Sequence, residues 1–326
     1  MTAAEQGLVL LPVASLASGH EMPLHLWELT GARPGPTVGL VAGVHGDQTT
    51  GVETVRRLAA RLRDTLAAGT VLALPVANPY AYQARSRHSP VDGHNLNRLF
   101  PGDPDGEFSA QLAFAIYDRV VRRCDYLIDF HSGGKDGTVD YGYFYGDGSL
   151  ARAFGCELLL PGPSYPGALS PLAHAAGINV MASELGGANQ RNEHYVQRGV
   201  TGAVNVLRSL GMLPGEPERP ARQVTLSGFT VLRPHHGGIL VSTADSSKLG
   251  DTIAGSTELG YVVSPYTGAR LETFTAPYSV SVLALTRETV TDIEAGEYAF
   301  ILGDGSAIPG DGSAQPATRQ DGAGDR

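Results

Sequence analysis

The sequence predicts an α/β fold with a largely parallel or mixed sheet, followed by a smaller β-rich unit. Two observations carry this expectation. Over the first two thirds of the chain, short apolar runs bounded by glycine or proline alternate with amphipathic stretches of helical period. The pattern then changes at the proline-punctuated segment 214–220, beyond which only short strand-like runs remain. With 326 residues, two domains are the natural expectation.

TVGLVAGV (Thr37 to Val44) is an apolar run of the kind a buried strand requires. Thr50-Gly-Val-Glu53 has the spacing of a capping box, and Val52, Val55, Leu58, Ala59, Leu62 and Leu66 then recur on one helical face. TVLALPVANP (Thr70 to Pro79) reads as a second strand, stopped by Asn-Pro. A helix over Ser109 to Arg123 leads into a third strand, YLIDFHSGG (Tyr126 to Gly134). A fourth, INVMASELGG (Ile178 to Gly187), precedes a helix over Asn192 to Leu210. These readings divide the chain into an α/β unit over 1–213, a linker over 214–222, a β-rich unit over 223–303 and a tail over 304–326. The tail has almost nothing to bury and is expected to be disordered.

The formal charge of −9, with no cluster of lysine and arginine, argues against a nucleic-acid partner. Solubility is the simpler reading of the acidity. No apolar run reaches the length of a membrane span, and the N-terminus lacks the pattern of an export signal. Two cysteines, Cys124 and Cys156, without metal-type spacing fit a reducing compartment, so a cytoplasmic location is expected. Nothing in the sequence specifies an oligomeric state.

The chemistry gathers at the strand ends. His45 ends the first strand, His131 the third and Glu184 the fourth, each near glycine. Ligands in open α/β sheets collect beyond the carboxyl ends of strands, so the three together outweigh a lone histidine, whose usual role is a satisfied polar one. Between the second and third strands lies SRHSPVDGHNLNRLFPGDPDG (Ser86 to Gly106), a polar loop long enough to suggest function. Asn97 and Arg98 within it suit a substrate carboxylate, the guanidinium offering a bidentate fork. The aromatic run DYGYFYGDG (Asp140 to Gly148) has two readings, a pocket lining and, more commonly for alternating Tyr and Phe, ordinary strand packing.

HGDQ, NLNRLFPG, DFHSGG and SELGG, in this order and spacing, resemble the succinylglutamate desuccinylase/aspartoacylase family of zinc carboxypeptidase-like hydrolases. The resemblance covers about 36–213. It implies a three-layer α/β/α domain with a mixed sheet and a zinc-dependent amidohydrolase acting on an N-acyl amino acid or a related small carboxylate-bearing amide. It also implies His45 and His131 as metal ligands, Arg87 polarising the scissile carbonyl, Asn97 and Arg98 holding the substrate carboxylate, and Glu184 as general base. The β-rich end is similar to the C-terminal extension of bacterial members, which has a biotinyl/lipoyl-like flavour. No lysine sits in a carrier-type hairpin, so no covalently attached cofactor is expected.

Two positions depart from the family pattern. Asn95 stands where an aspartate is usual, and Gln48 stands where the middle metal ligand is normally glutamate. An amide can offer its carbonyl oxygen but brings no negative charge. Three outcomes stay open: zinc held by His45, Gln48 and His131 with altered affinity; a charge supplied by Asp47, His88 or His94; or a site without catalytic metal. The last would leave a non-hydrolytic small-molecule binder, and a metal enzyme acting on a different bond is a further alternative.

Overall fold

Strands buried on both faces read as near-continuous apolar runs, and the centre of this molecule is built from four of them. The computed structural model describes residues 7–135, 137–187 and 192–306. Along the chain come β1 (Leu8–Ser15), β2 (Glu21–Thr30), β3 (Arg33–Ala42), α1 (Thr49–Thr65), β4 (Ala68–Leu74), α2 (Pro79–Ala84) and α3 (Phe108–Arg119). There follow β5 (Tyr126–His131), β6 (Gly137–Phe144), α4 (Ser149–Phe154), β7 (Leu158–Pro161), α5 (Leu169–Ala175), β8 (Asn179–Gly187) and α6 (Glu193–Ser209). Strands run in the order β1-β2-β4-β3-β5-β8-β6. β3 is parallel to β4 and β5, and β5 to β8, whereas β2–β4 and β6–β8 are antiparallel. The sheet is therefore mixed.

Helices cover both faces, which makes three layers. On one face Val55, Leu58 and Leu62 of α1 pack with Phe154 of α4 and Val204 and Leu207 of α6 over Leu40, Ile128 and Met181. On the other, Leu112 and Ile116 of α3 and Leu169 of α5 cover Val41, Leu127 and Val180. Adjacent strand residues enter opposite cores, as the period of two requires.

The C-terminal third contributes β9 (Val224–Thr225), β10 (Phe229–Leu232), β11 (Gly238–Ser242), β12 (Thr252–Ala254), β13 (Glu258–Val263), β14 (Arg270–Thr275), β15 (Val280–Arg287), β16 (Val290–Ile293) and β17 (Phe300–Asp304). Four of these form a second sheet, β14-β13-β11-β16. The others join the main sheet. β15 pairs antiparallel with β6, and β17 and β10 follow, so the sheet runs across the boundary expected near residue 213. Segment 214–222 is pinned at Glu218, whose backbone N–H and carbonyl both bond to the Asn205 amide at 2.8 Å. The expected tail lies, from residue 307 onward, outside the described residues.

Local readings differ in two places. α1 starts one residue before Thr50, with Gln48 as its N-cap and no side-chain cap bond. Glu53 bonds instead to Arg56 and Arg57, because guanidinium partners three and four residues on are within easy reach on a helix. The helix expected over 109–123 ends at Arg119, and Val121–Arg123 forms a tighter 3-10 turn before β5.

Candidate active site

The carboxyl ends of β3, β5 and β8 lie side by side, with His131 directly paired in register with Glu184. His45 follows β3 on a loop that must press against α2. A Cβ on Gly46 would lie 1.9 Å from the Ala81 carbonyl carbon, so only glycine permits that approach. The 86–107 loop crosses above. Gly167, at φ +70° and packed on the Arg98 carbonyl, accepts a 3.0 Å bond from the Phe100 N–H and so fixes the Asn97–Arg98 turn.

His45, Gln48, Arg87, Asn97, Arg98, His131 and Glu184 line one pocket. All seven sequence-derived positions are thus brought together. His45, Gln48 and His131 are buried, Glu184 and Asn97 are half-buried, and Arg87 and Arg98 sit at the open side. The His45 and His131 ring centroids are 5.2 Å apart.

Hydrogen bonding sets the tautomers. His45 Nε2–H donates to Asn95 Oδ1 at 3.1 Å, leaving Nδ1 buried with no hydrogen-bond partner. His131 Nε2 lies 3.1 Å from Asp129 Oδ2, and its Nδ1 lies 2.8 Å from Gln48 Oε1. Burial, with the Arg87 and His131 charges nearby, holds His45 well below the usual imidazole range. Burial also opposes a charge on His131, but the Asp129 carboxylate outweighs it and raises that imidazole above its ordinary value. Burial pushes the Glu184 carboxyl up to about 7, against the pull of His131 and Arg87.

An orphaned, buried imidazole nitrogen is costly unless something binds it. Two imidazole Nδ1 atoms with an amide oxygen beside them form a donor set that fits a borderline divalent ion such as zinc. Gln48 leaves that set neutral. Asp47, His88 and His94, the expected alternative sources of charge, do not line the pocket. His94 contacts Glu107 at 2.6 Å in an exposed group with Asp92, where three ligand-type atoms lie within 4.8 Å of one another. Asp92 there accepts from the Ser109 N–H and hydroxyl, so this group is a loop clasp.

Several pocket residues escaped sequence reasoning. Asp129 is buried, bonds to His131 and accepts from Ser170 Oγ at 2.7 Å. Its position two residues before His131 puts both on one face of β5, a signal the sequence does contain. Asn95, noted only as a departure, orients His45 and caps the Asn97 turn. Tyr141, Tyr143 and Tyr145 line the pocket, so the aromatic run does more than strand packing. Leu285, Tyr298 and Ile301 reach it from the C-terminal strands. His194, soon after the fourth strand, lies against the Tyr195 ring and does not line the pocket.

A mixed sheet between helical layers, with histidine and glutamate at adjacent strand ends, defines the class as a zinc carboxypeptidase-like amide hydrolase. The chain belongs to the succinylglutamate desuccinylase/aspartoacylase family, whose catalytic-domain profile matches residues 34–210. It is similar to the N-alpha-acetyl-L-2,4-diaminobutyric acid deacetylase of Halomonas elongata, 29% identical over 265 residues that span 76% of this chain and 72% of that protein. The crystal structure of succinylglutamate desuccinylase/aspartoacylase from Rhodobacter sphaeroides superposes with a TM-score of 0.79 at 25% identity, covering 91% of this chain and 94% of that one. A succinylglutamate desuccinylase from Silicibacter sp. TM1040 matches with the same TM-score, identity and coverage. Among the described residues, no helix is long and apolar enough to cross a membrane.

Proposed function

We propose that this chain is a zinc-type, metal-dependent deacylase that hydrolyses an N-acyl amino acid or a related small amide bearing a carboxylate. The observation that carries the reading is the convergence of His45, Gln48 and His131 with Arg87 and Glu184 in one pocket beside Asn97 and Arg98. His45, Gln48 and His131 would hold the ion. When bound, it supplies Lewis acidity toward the amide carbonyl and toward water.

The protein's own groups account for binding and proton traffic. Arg98 stacks on the Tyr165 ring at 4.7 Å and donates to the Asn97 carbonyl, which presents its guanidinium at the pocket mouth for a substrate carboxylate. Asn97 Oδ1 accepts from the Leu169 N–H at 2.8 Å, so the amide nitrogen is the end turned to ligand. Arg87, which also lines the pocket, would stabilise the negative charge that develops on the carbonyl oxygen. Glu184, with its carboxyl near 7, takes the proton of the attacking water at neutral pH. That water oxygen bonds to the carbonyl carbon, the C–N bond breaks, and Glu184 returns the proton to the departing amine.

Elemental analysis of purified protein, with hydrolysis of N-acetyl and N-succinyl amino acids before and after chelation, tests the reading. Near-stoichiometric metal and a chelator-sensitive release of free amine are expected. Ligand binding that ignores chelator, without turnover of any amide, would point to the non-hydrolytic alternative.

A further inference from the structure

Arg98, which the proposed function gives to the substrate carboxylate, is an exposed side chain, and an exposed arginine has rotamer freedom to lose before it can hold a ligand. Two contacts restrain it. Its guanidinium donates to the Asn97 carbonyl at 2.6 Å and lies over the Tyr165 ring, 4.7 Å from the centroid. Tyr165 is itself a weak platform, since it stands in the loop before α5 and is 36% exposed. One exposed cation–π contact is worth less than the rotamer entropy of an arginine, so the ring needs support of its own.

That support comes from the C-terminal part. Tyr298 lines the same pocket, and its side chain is hydrogen-bonded to that of Tyr165. Its backbone is fixed on two sides. The buried Arg287 of β15 donates from Nε to the Tyr298 carbonyl at 2.7 Å, and the following N–H, of Ala299, donates to the Leu232 carbonyl of β10 at 2.9 Å. Arg233 then covers the Tyr298 ring, its guanidinium carbon 4.1 Å from the centroid, and donates to the Gly296 carbonyl. Four side chains thus stand in series, Arg98 on Tyr165, Tyr165 against Tyr298, and Tyr298 under Arg233. The series begins at the pocket mouth and ends on backbone held by β10 and β15.

We infer that Tyr298 and Arg233 are positioning residues for the substrate carboxylate, acting through Tyr165 on Arg98, so that the C-terminal strands govern how tightly the carboxylate is held. The metal-side residues have separate supports, Asn95 for His45 and Asp129 for His131. Breaking the series therefore loosens the grip on a carboxylate and leaves zinc affinity alone. The inference rests on the carboxylate-binding part of the proposed function and not on hydrolysis.

An acid and its amide separate the two effects, because only the acid carries the charge that Arg98 reads. Binding of N-acetyl-L-alanine and N-acetyl-L-alaninamide is measured calorimetrically on full-length protein carrying Glu184→Gln, which suppresses turnover. The acid is expected to bind at least tenfold more tightly. Tyr165→Phe and Tyr298→Phe, each lacking one hydroxyl, should each cut that margin threefold or more. The double variant should lose no more than either single one, because both remove the same contact. Arg233→Met should cut the margin as well, while zinc affinity, read by competition against a chelator, stays within twofold throughout. Unchanged margins in the single variants overturn the inference and leave Arg98 standing as the carboxylate clamp. Additive losses in the double variant also overturn it, since each hydroxyl would then touch the ligand directly. So does a fall in zinc affinity in step with the margin, because the series would then serve the whole site. Equal binding of acid and amide before any of these changes removes the clamp and the inference together.

Discussion

Gln48 Oε1 lies 2.8 Å from His131 Nδ1, so the amide faces the imidazole nitrogen that a metal would need. In the protonated imidazole, Nδ1–H donates to Gln48 while Nε2–H is held by Asp129. Binding an ion therefore costs that proton, and the amide returns no charge for it. Gln48→Glu is expected to raise zinc affinity at least tenfold, read by competition against a chromogenic chelator. Unchanged affinity would mean that residue 48 is not a ligand.

Asp129 is the second control on His131. Carboxylates that orient ligating histidines typically contribute about 10–100-fold in metal affinity. Asp129→Asn should reduce zinc affinity by about that factor, in the same competition assay. The substitution also leaves Ser170 Oγ with a weaker acceptor, so a loss of about 1–2 kcal/mol in urea unfolding is expected.

Glu184 makes two separable predictions. Glu184→Gln should lower deacylation by about 10²–10⁴-fold, the usual range for a general acid–base group. Stability moves the other way. Burial holds the folded carboxyl up to about 7, whereas the unfolded one keeps its ordinary value of 4.5, so the unfolded chain gives up its proton first. The native state is then penalised progressively as pH rises from about 4.5 through 7, and by a constant amount above. Metal-free Glu184→Gln should accordingly gain about 1–3 kcal/mol over the parent at pH 8 and little at pH 4, by urea titration at both.

The two thiols should be silent in the native protein. Burial pushes both Cys124 and Cys156 up to about 12, and Cys124 donates to the Val120 carbonyl. At pH 8 an aromatic disulfide reagent should modify neither within minutes, while guanidinium should expose both. Rapid labelling of the native protein would contradict the burial described.

Gly46→Ala tests the loop that carries His45. Its Cβ would collide with the backbone of α2, so the loop has to move or α2 has to shift. A stability loss of about 3 kcal/mol or more is expected in thermal and urea unfolding, together with weaker zinc binding.

Sequence reading reached the site because its key residues end strands or occupy a long polar loop. The apolar runs before His45 and through His131 and Glu184 determine which residues emerge at the sheet edge, and that pattern is local. Asp129 was equally accessible by its spacing from His131, but inside an apolar strand it resembles any buried polar residue. The Thr50–Glu53 capping pattern misled for a local reason: arginines at positions 56 and 57 compete for the glutamate.

By itself the sequence determined the strand–helix alternation, the family and seven residues of the pocket, since local periodicity and short motifs encode them. Only the tertiary structure decided that β15 pairs with β6, that Tyr298 and Ile301 join the tyrosines of β6, and that Gln48 meets His131. Those contacts join residues far apart in the chain. Their selection depends on which surfaces the whole fold can bury together, and no local pattern records that.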